Sequence, residues 1–325
     1  MNLRPTHHGY AYQDTMCGIA FVDLMLGTAT RIKVDLKVDA DDRFDDLTIE
    51  YAIGRRRRLQ IKHTTVDRQL SRAAFSGDGR SLRLDLLLRS LLDDLASNSD
   101  ADYRVVVRDK GPDSELSQVL EPVDAGDDPG DPLPGVATRR YRFNPQKLRA
   151  TDPWKNVLKG FTDDELHTAC ARLVIDTDAP EATLTFDSPG PAERALMRRA
   201  VEELGAGRPP NLNRSAEDVG LALLHAATGA RAIEGTVTRT SLAPEVRLTT
   251  DFGAVRDGHP VEAAFAVDRV DAADVVRAAI DESLADGGRV VLTGEPGAGK
   301  TWLCEQLAES YVESGVLVLR HHCWL

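Results

Sequence analysis

Residues 294–301 have the sequence GEPGAGKT, which fits the phosphate-binding pattern G-x-x-x-x-G-K-S/T at every defined position. Backbone N–H groups can surround a phosphate only where side chains leave room, which explains the glycines. Lys300 is expected to reach the β- and γ-phosphates, and the Thr301 hydroxyl to ligate Mg²⁺. ATP is the expected nucleotide, with GTP left open. The expected contacts are Gly294, Gly297, Ala298, Gly299, Lys300 and Thr301.

A second group of reactive side chains is expected on a hairpin near the N-terminus. In its second strand the apolar residues Leu59 and Ile61 take one face, so Gln60 and Lys62 share the other. In the first strand Asp46 falls on the matching polar face. An Asp, a Gln and a Lys can therefore converge, and metal-assisted phosphodiester cleavage needs oxygen ligands and a cation of this kind.

This hairpin resembles that of the PD-(D/E)xK, or restriction-like, endonucleases, in which D…(E/Q)-x-K follows an N-terminal helix. With the run GYAYQ at residues 9–13, it is similar to one branch, the double-stranded-DNA endonuclease domain of bacterial antiphage effectors. There the domain is fused to a nucleotide-sensing module or a STAND-type P-loop NTPase. The resemblance makes Asp46 and Gln60 ligands of Mg²⁺ or Mn²⁺ and Lys62 the catalytic lysine. Gln13, on the helix, would complete the site.

The site departs from the commoner form of the family at one position. Gln60 replaces a carboxylate, so the site has one fewer negative charge and a second acid must come from elsewhere. Asp45, Asp39 and Glu50 are the candidates, and the sequence does not choose among them. His63 falls on the opposite strand face from Lys62 and is given no catalytic role.

Four consecutive arginines occupy residues 55–58, at the tip of the hairpin and immediately before the proposed site strand. They are either contacts for DNA phosphates or part of a solvated turn, and the sequence supports both equally.

Apolar periodicity and turn residues predict the elements that must position these groups. The first part should contain a helix at 12–26, strands at 32–38, 47–53 and 59–61, a helix at 81–95, a strand at 103–108 and a loop at 124–134. Helices should follow at 163–175, 192–204 and 215–227. Near the C-terminus we expect a helix from 271, a strand at 289–293, a helix from 300 and a strand at 316–319.

The predicted fold class is α/β, with three regions. Residues 1–150 would form a restriction-endonuclease-like mixed sheet with flanking helices, and residues 151–260 a mainly helical connecting region. Residues 261–325 would be the first β-α-β of a P-loop NTPase domain. That domain is expected to be truncated, because no carboxylate follows the strand at 316–319 to help hold Mg²⁺.

Composition limits the classes of protein that remain. The net charge of −12 disfavours a passive DNA-coating protein but permits an enzyme with a local basic patch. No apolar run approaches the roughly 20 residues that a bilayer requires, so no membrane contact is expected. The four scattered cysteines indicate free thiols in a reducing cytoplasm.

Together these features predict a cytoplasmic, Mg²⁺-dependent endonuclease for double-stranded DNA, controlled by a nucleotide-binding STAND-like module in antiphage defence. The resemblance implies a homo-oligomer when active, because cutting both strands needs two sites. The alternatives are a P-loop ATPase whose N-terminal domain binds nucleic acid or a partner without cutting, and a degenerate fragment with neither activity.

Overall fold

The computed structural model describes most of the chain in two compact units, Met1–Thr250 and Asp251–Leu325. Of residues 4–7 and 286 only the backbone is described. The described residues are 4–64, 66–76, 82–97, 100–124, 126–183, 186, 188–233, 235–249, 270–295 and 298–318.

The first unit is a mixed α/β structure. Its strands are β1 (Ala29–Val34), β2 (Leu47–Tyr51), β3 (Arg56–Lys62), β4 (Gln69–Leu70), β5 (Ala101–Val107), β6 (Lys110–Pro112), β7 (Leu120–Pro122), β8 (Arg139–Phe143), β9 (Leu173–Thr177) and β10 (Thr236–Val237). Within the described residues, eight of them form one mostly antiparallel sheet in the order β10-β1-β2-β3-β5-β9-β8-β7. β4 and β6 pair separately.

Helices cover both faces of this sheet. They are α1 (Arg4–Leu26), α2 (Ala73–Ser76), α3 (Leu84–Leu95), α4 (Pro145–Ala150), α5 (Trp154–Val157), α6 (Asp163–Arg172), α7 (Pro191–Glu202), α8 (Ala216–Ala232) and α9 (Arg239–Val246). A 3-10 turn lies at Leu116–Gln118.

Two hydrophobic cores lie on opposite faces of the sheet. α1, α7, α8 and α9 bury the first, and α3 to α6 bury the second. Alternate residues of β5 divide between them, since Val106 packs in the first core while Val105 and Val107 pack in the second. Residues 14–25 of α1 are buried on all sides, and this buried stretch includes Asp14 and Asp23. The predicted mixed α/β sheet with flanking helices is confirmed at this level.

The strand order places the carboxyl ends of three neighbouring strands at one edge of the sheet. β2 and β3 form an antiparallel hairpin in which Leu47 lies opposite Leu59. β5 then runs parallel to β3, with Lys62 beside Val107, and β9 runs parallel to β5. Because these three strands are parallel, their carboxyl ends lie at the same edge, where open α/β sheets bind ligands.

The middle of the chain differs from its prediction. The boundary that we predicted at residue 150 does not separate two compact units, because β9 and β10 belong to the same sheet as β1 to β5. The helix predicted at 163–175 ends at Arg172, and Leu173–Thr177 is the fully buried strand β9. The apolar residues 173–175 directly follow the helix, and so short a run carries no periodicity that separates a buried strand from a buried helix.

The second unit contains two helices among its described residues, α10 (Val270–Asp286) and α11 (Lys300–Glu313). The strands predicted at 289–293 and 316–319 are not formed by the described residues there, and residue 319 lies outside them. A strand requires hydrogen bonds to a neighbouring strand, and the described part of this unit contains no strand with which these segments could pair.

Two further predictions concern the whole chain. Within the described residues, no helix combines the length and apolar character needed to cross a membrane. Cys17, Cys170 and Cys304 are free thiols, as predicted, and Cys323 lies outside the described residues.

Candidate functional site

Three of the four predicted site residues meet at the carboxyl end of β3. Asp46 directly precedes β2, so the pairing of β2 with β3 places it beside Gln60. Its Oδ2 accepts hydrogen bonds from Gln60 Nε2 and, at 2.6 Å, from the N–H of Ile61. The ammonium of Lys62 lies 3.7 Å from the same oxygen. Asp46 and Gln60 are buried, whereas the Lys62 side chain is 35% exposed. The Lys62 ammonium is therefore partly open to solvent, whereas Asp46 and Gln60 beside it are not.

The fourth predicted residue, Gln13, reaches the same strand from the opposite layer. Its Nε2 donates to the carbonyl of Ile61 at 3.4 Å, so α1 is tied to the end of β3. The structure thus brings Asp46, Gln60 and Lys62 together, while Gln13 contacts the backbone of the residue between Gln60 and Lys62.

The electrostatics of Asp46 are unusual for an aspartate. Burial raises its pKa to about 6, because a charged carboxylate loses its hydration there. The positive charge of Lys62 and the Ile61 N–H oppose this rise, and the negative charge of Asp45 adds to it. At neutral pH the carboxylate is therefore ionised at a cost that a bound cation would relieve.

Asp39 and Glu50, two of the three candidate second acids, have partners away from Asp46. Glu50 lies at the far end of β2, where Lys33 contacts it at 2.9 Å. Asp39 accepts from the N–H of Asp41 in the loop before β2. Asp45 is the candidate whose charge raises the pKa of Asp46, and its other neighbour is Lys37 at 3.7 Å.

These contacts decide how well a metal would fit. Within the part of the chain that the structure describes, no three His, Cys, Asp or Glu side chains form a metal-binding group. Asp46 and the amide oxygen of Gln60 are the donors available at the strand end. Two protein oxygens suit Mg²⁺, which keeps several of its waters and is held through one or two carboxylates. The residues fit a weakly held Mg²⁺ rather than a closed cage.

The loop that carries Asp46 is fixed by a buried ion pair that sequence reasoning missed. Asp42 accepts from the N–H groups of Val38 and Phe44, both at 3.0 Å, and forms a buried pair with Arg58. Arg58 also contacts Asp94 of α3 at 3.2 Å. These bonds hold the end of the loop against β3 and α3, and so position Asp46.

Three of the four arginines of residues 55–58 are structural, and the fourth, Arg55, is 45% exposed. Arg56 pairs with Asp94 at 2.7 Å, Arg57 with Asp102 at 3.0 Å, and Arg58 is buried as described above. They lie at the start of β3, whereas the site lies at its end. The structure favours neither a solvated turn nor a set of free phosphate contacts for this segment.

The predicted phosphate loop lies in the second unit. Gly299 adopts a φ of +77°, which glycine permits, and directly precedes α11. The Lys300 ammonium donates to the carbonyls of Gly294 at 2.8 Å and Glu295 at 2.9 Å. Thr301 is exposed at the start of the helix. Gly297 lies outside the described residues, so its predicted role stays a prediction.

The arrangement at the end of β3 can hold a divalent cation on Asp46 and Gln60 while Lys62 contacts an adjoining anion. That combination serves substrates in which negative charge develops on oxygen, phosphate esters among them. The chain matches no family model, and neither the curated proteins nor the solved structures contain a match for it.

Proposed function

We propose that the first unit is a Mg²⁺-dependent, restriction-type endonuclease for double-stranded DNA. The observation that carries this proposal is the convergence of Gln13, Asp46, Gln60 and Lys62 at one strand end. Residue types that are common on solvated strands are here held together by two layers of the fold. A merely solvated hairpin would not bury Asp46 and Gln60.

The topology supports a restriction-endonuclease-like core. A helix precedes an antiparallel hairpin, and the chain then crosses over through α3 to a strand parallel to β3. The site lies where the parallel strands end, which is the usual place for ligands in open α/β sheets.

Each residue has a distinct task in this proposal. Asp46 and Gln60 would hold Mg²⁺, which polarises the phosphate and activates water when bound. Lys62 would stabilise the negative charge that develops on the phosphate oxygens. Gln13 holds the carbonyl of Ile61 and so fixes the strand between Gln60 and Lys62.

The second unit would control this activity through a nucleotide. Lys300 must exchange its two carbonyl partners for the β- and γ-phosphates when ATP or GTP enters, while Thr301 ligates the accompanying Mg²⁺. We propose that nucleotide binding in this STAND-like module brings two copies together, because two strand cuts need two sites. The biological role proposed is antiphage defence in the cytoplasm.

The test is cleavage of supercoiled and linear duplex DNA by the full chain with Mg²⁺ or Mn²⁺, with and without ATP. Lys62→Ala should reduce cutting by about 100-fold or more, because it removes the group that stabilises the developing charge. Lys155→Ala is a matched control, since Lys155 lies on α5 and its side chain is 52% exposed. Equal cutting by wild type and Lys62→Ala would refute the proposed role.

One observation favours a second candidate, a module that binds DNA or a partner without cutting it. Within the described residues Asp46 belongs to no group of three His, Cys, Asp or Glu side chains that could hold a metal, and the Lys62 ammonium lies 3.7 Å from its carboxylate. This candidate predicts duplex binding by wild type and no cutting with either metal, at any nucleotide concentration.

A further inference from the structure

Tyr12 and Gln13, which are neighbours on α1, contact the two residues that flank Lys62 in the sequence. Gln13 bonds to the carbonyl of Ile61, and the ring of Tyr12 packs against His63 with centroids 4.7 Å apart. Tyr12 is fully buried, and among the described residues its hydroxyl has no hydrogen-bond partner. The imidazole of His63 is therefore packed against α1 and half-buried, directly after the proposed catalytic lysine.

Arg108 directly follows β5, the neighbour of β3, just as His63 directly follows β3. Because Lys62 pairs in parallel with Val107, the residues that follow them, His63 and Arg108, share one face of the sheet. Burial and then the charge of Arg108 lower the pKa of His63, which agrees with this closeness. The face is the one that α1 covers, opposite to the face of Lys62.

The partners of Arg108 distinguish it from the structural arginines. Its Nη1 donates to the carbonyl of Thr64 at 2.7 Å, which aims the guanidinium along the strand end. Its Nη2 lies 3.3 Å from Glu181, a side chain that is 55% exposed. Arg104, by contrast, pairs with Asp176, and both side chains are fully buried. A phosphate can replace the exposed carboxylate of Glu181 as a partner of Arg108. It cannot replace Asp176 as the partner of Arg104, because that pair is fully buried.

We propose that Arg108 and His63 form a subsite for a backbone phosphate of DNA, next to the phosphate that Lys62 would contact. The inference rests on the proposed function, since it assigns a substrate contact to the same site. A guanidinium presents two parallel N–H groups to a phosphate, and an imidazole N–H adds a third donor. Lys62 on one face and Arg108 on the other would then hold successive phosphates across the end of β3.

The test is binding of a fluorescent DNA duplex to the full chain in EDTA, where no metal-dependent cutting occurs. Arg108→Gln should weaken binding by about tenfold and reduce the salt dependence, log K against log salt, by about one unit. His63→Gln should weaken binding less, since it removes one donor. Lys155→Gln is the control for loss of one exposed positive charge, because Lys155 lies on α5 with its side chain 52% exposed, and it should leave affinity and slope unchanged.

The two proposals fail in different ways. Duplex binding that depends on Arg108 without any cutting would refute the nuclease and support the phosphate subsite. Wild-type affinity and salt slope in both Arg108→Gln and His63→Gln would overturn the subsite, whatever the cutting activity. Absence of duplex binding by the wild type would overturn it too. If Arg108→Gln does not fold, as judged by its thermal transition, His63→Gln alone decides the matter.

Discussion

The two ends of β3 use charge in opposite ways. At its start, Arg56, Arg57 and Arg58 each contact carboxylates at 3.0 Å or less, and they join β3 to α3, β5 and the loop before β2. At its end, Asp46 is buried with one cation 3.7 Å away, and that cation is partly exposed. The first arrangement satisfies its charges internally. The second keeps the Asp46 carboxylate ionised although burial disfavours its charge, which is typical of functional sites.

The largest expected effect is at the start of the strand. Arg58→Ala leaves the buried carboxylates of Asp42 and Asp94 without that partner, so we expect a loss of about 3–5 kcal/mol in unfolding free energy. Native-state hydrogen exchange of the β3 amides in the full chain measures it, because those amides report the opening of this unit. Arg58→Lys, which keeps the charge, should lose less. Exchange as slow as in wild type would show that the pair does not fix the loop.

The next largest expected effect is a gain in stability, and it lies at the carboxyl end of β3. Asp46→Asn removes a charge that burial disfavours, and it should raise the unfolding free energy at pH 7.5 by on the order of 1–3 kcal/mol. The folded pKa of about 6 lies above the unfolded value of 3.8, so the native state binds this proton more tightly. Wild-type stability is therefore lost as pH rises from about 4 through 6.

The pH dependence provides the control for that prediction. Urea unfolding at pH 4 and pH 7.5 should show the gain from Asp46→Asn at pH 7.5 and little difference at pH 4. The same variant should lose metal-dependent cutting, because it removes the proposed ligand. A gain of equal size at both pH values would mean that burial of the charge is not its cause.

Local spacing was enough to predict that Asp46, Gln60 and Lys62 lie together, because the hairpin is a short-range structure. The alternation of residues 59–62 fixes which side chains share a face, and a tight turn brings Asp46 beside them. The sequence also shows directly that residue 60 is an amide and not a carboxylate. The sequence does not choose among the candidates for a second acid. Their positions depend on how the loop before β2 packs, and that packing rests on the Asp42–Arg58 pair.

Long-range pairing explains what the sequence could not provide. β9 pairs with β5 across more than sixty residues of intervening chain, and its apolar start, residues 173–175, is too short to be told from the end of the preceding helix. The arginines of residues 55–58 have carboxylate partners as distant as Asp94 and Asp102, so their burial could not be inferred from charge. Arg108 was missed for the same reason, because only the parallel register places it beside His63.

The smallest expected effect separates exposed from buried charge within the same arginine run. Arg55 lies 3.3 Å from Asp102, but its side chain is 45% exposed and Asp102 keeps Arg57 as a partner. Arg55→Gln should therefore change the unfolding free energy by less than about 0.5 kcal/mol, since exposed pairs are screened by water. Hydrogen exchange of the β3 amides measures this beside Arg58→Ala. A loss comparable to that of Arg58→Ala would mean that the number of charge pairs, rather than their burial, stabilises this end of the strand.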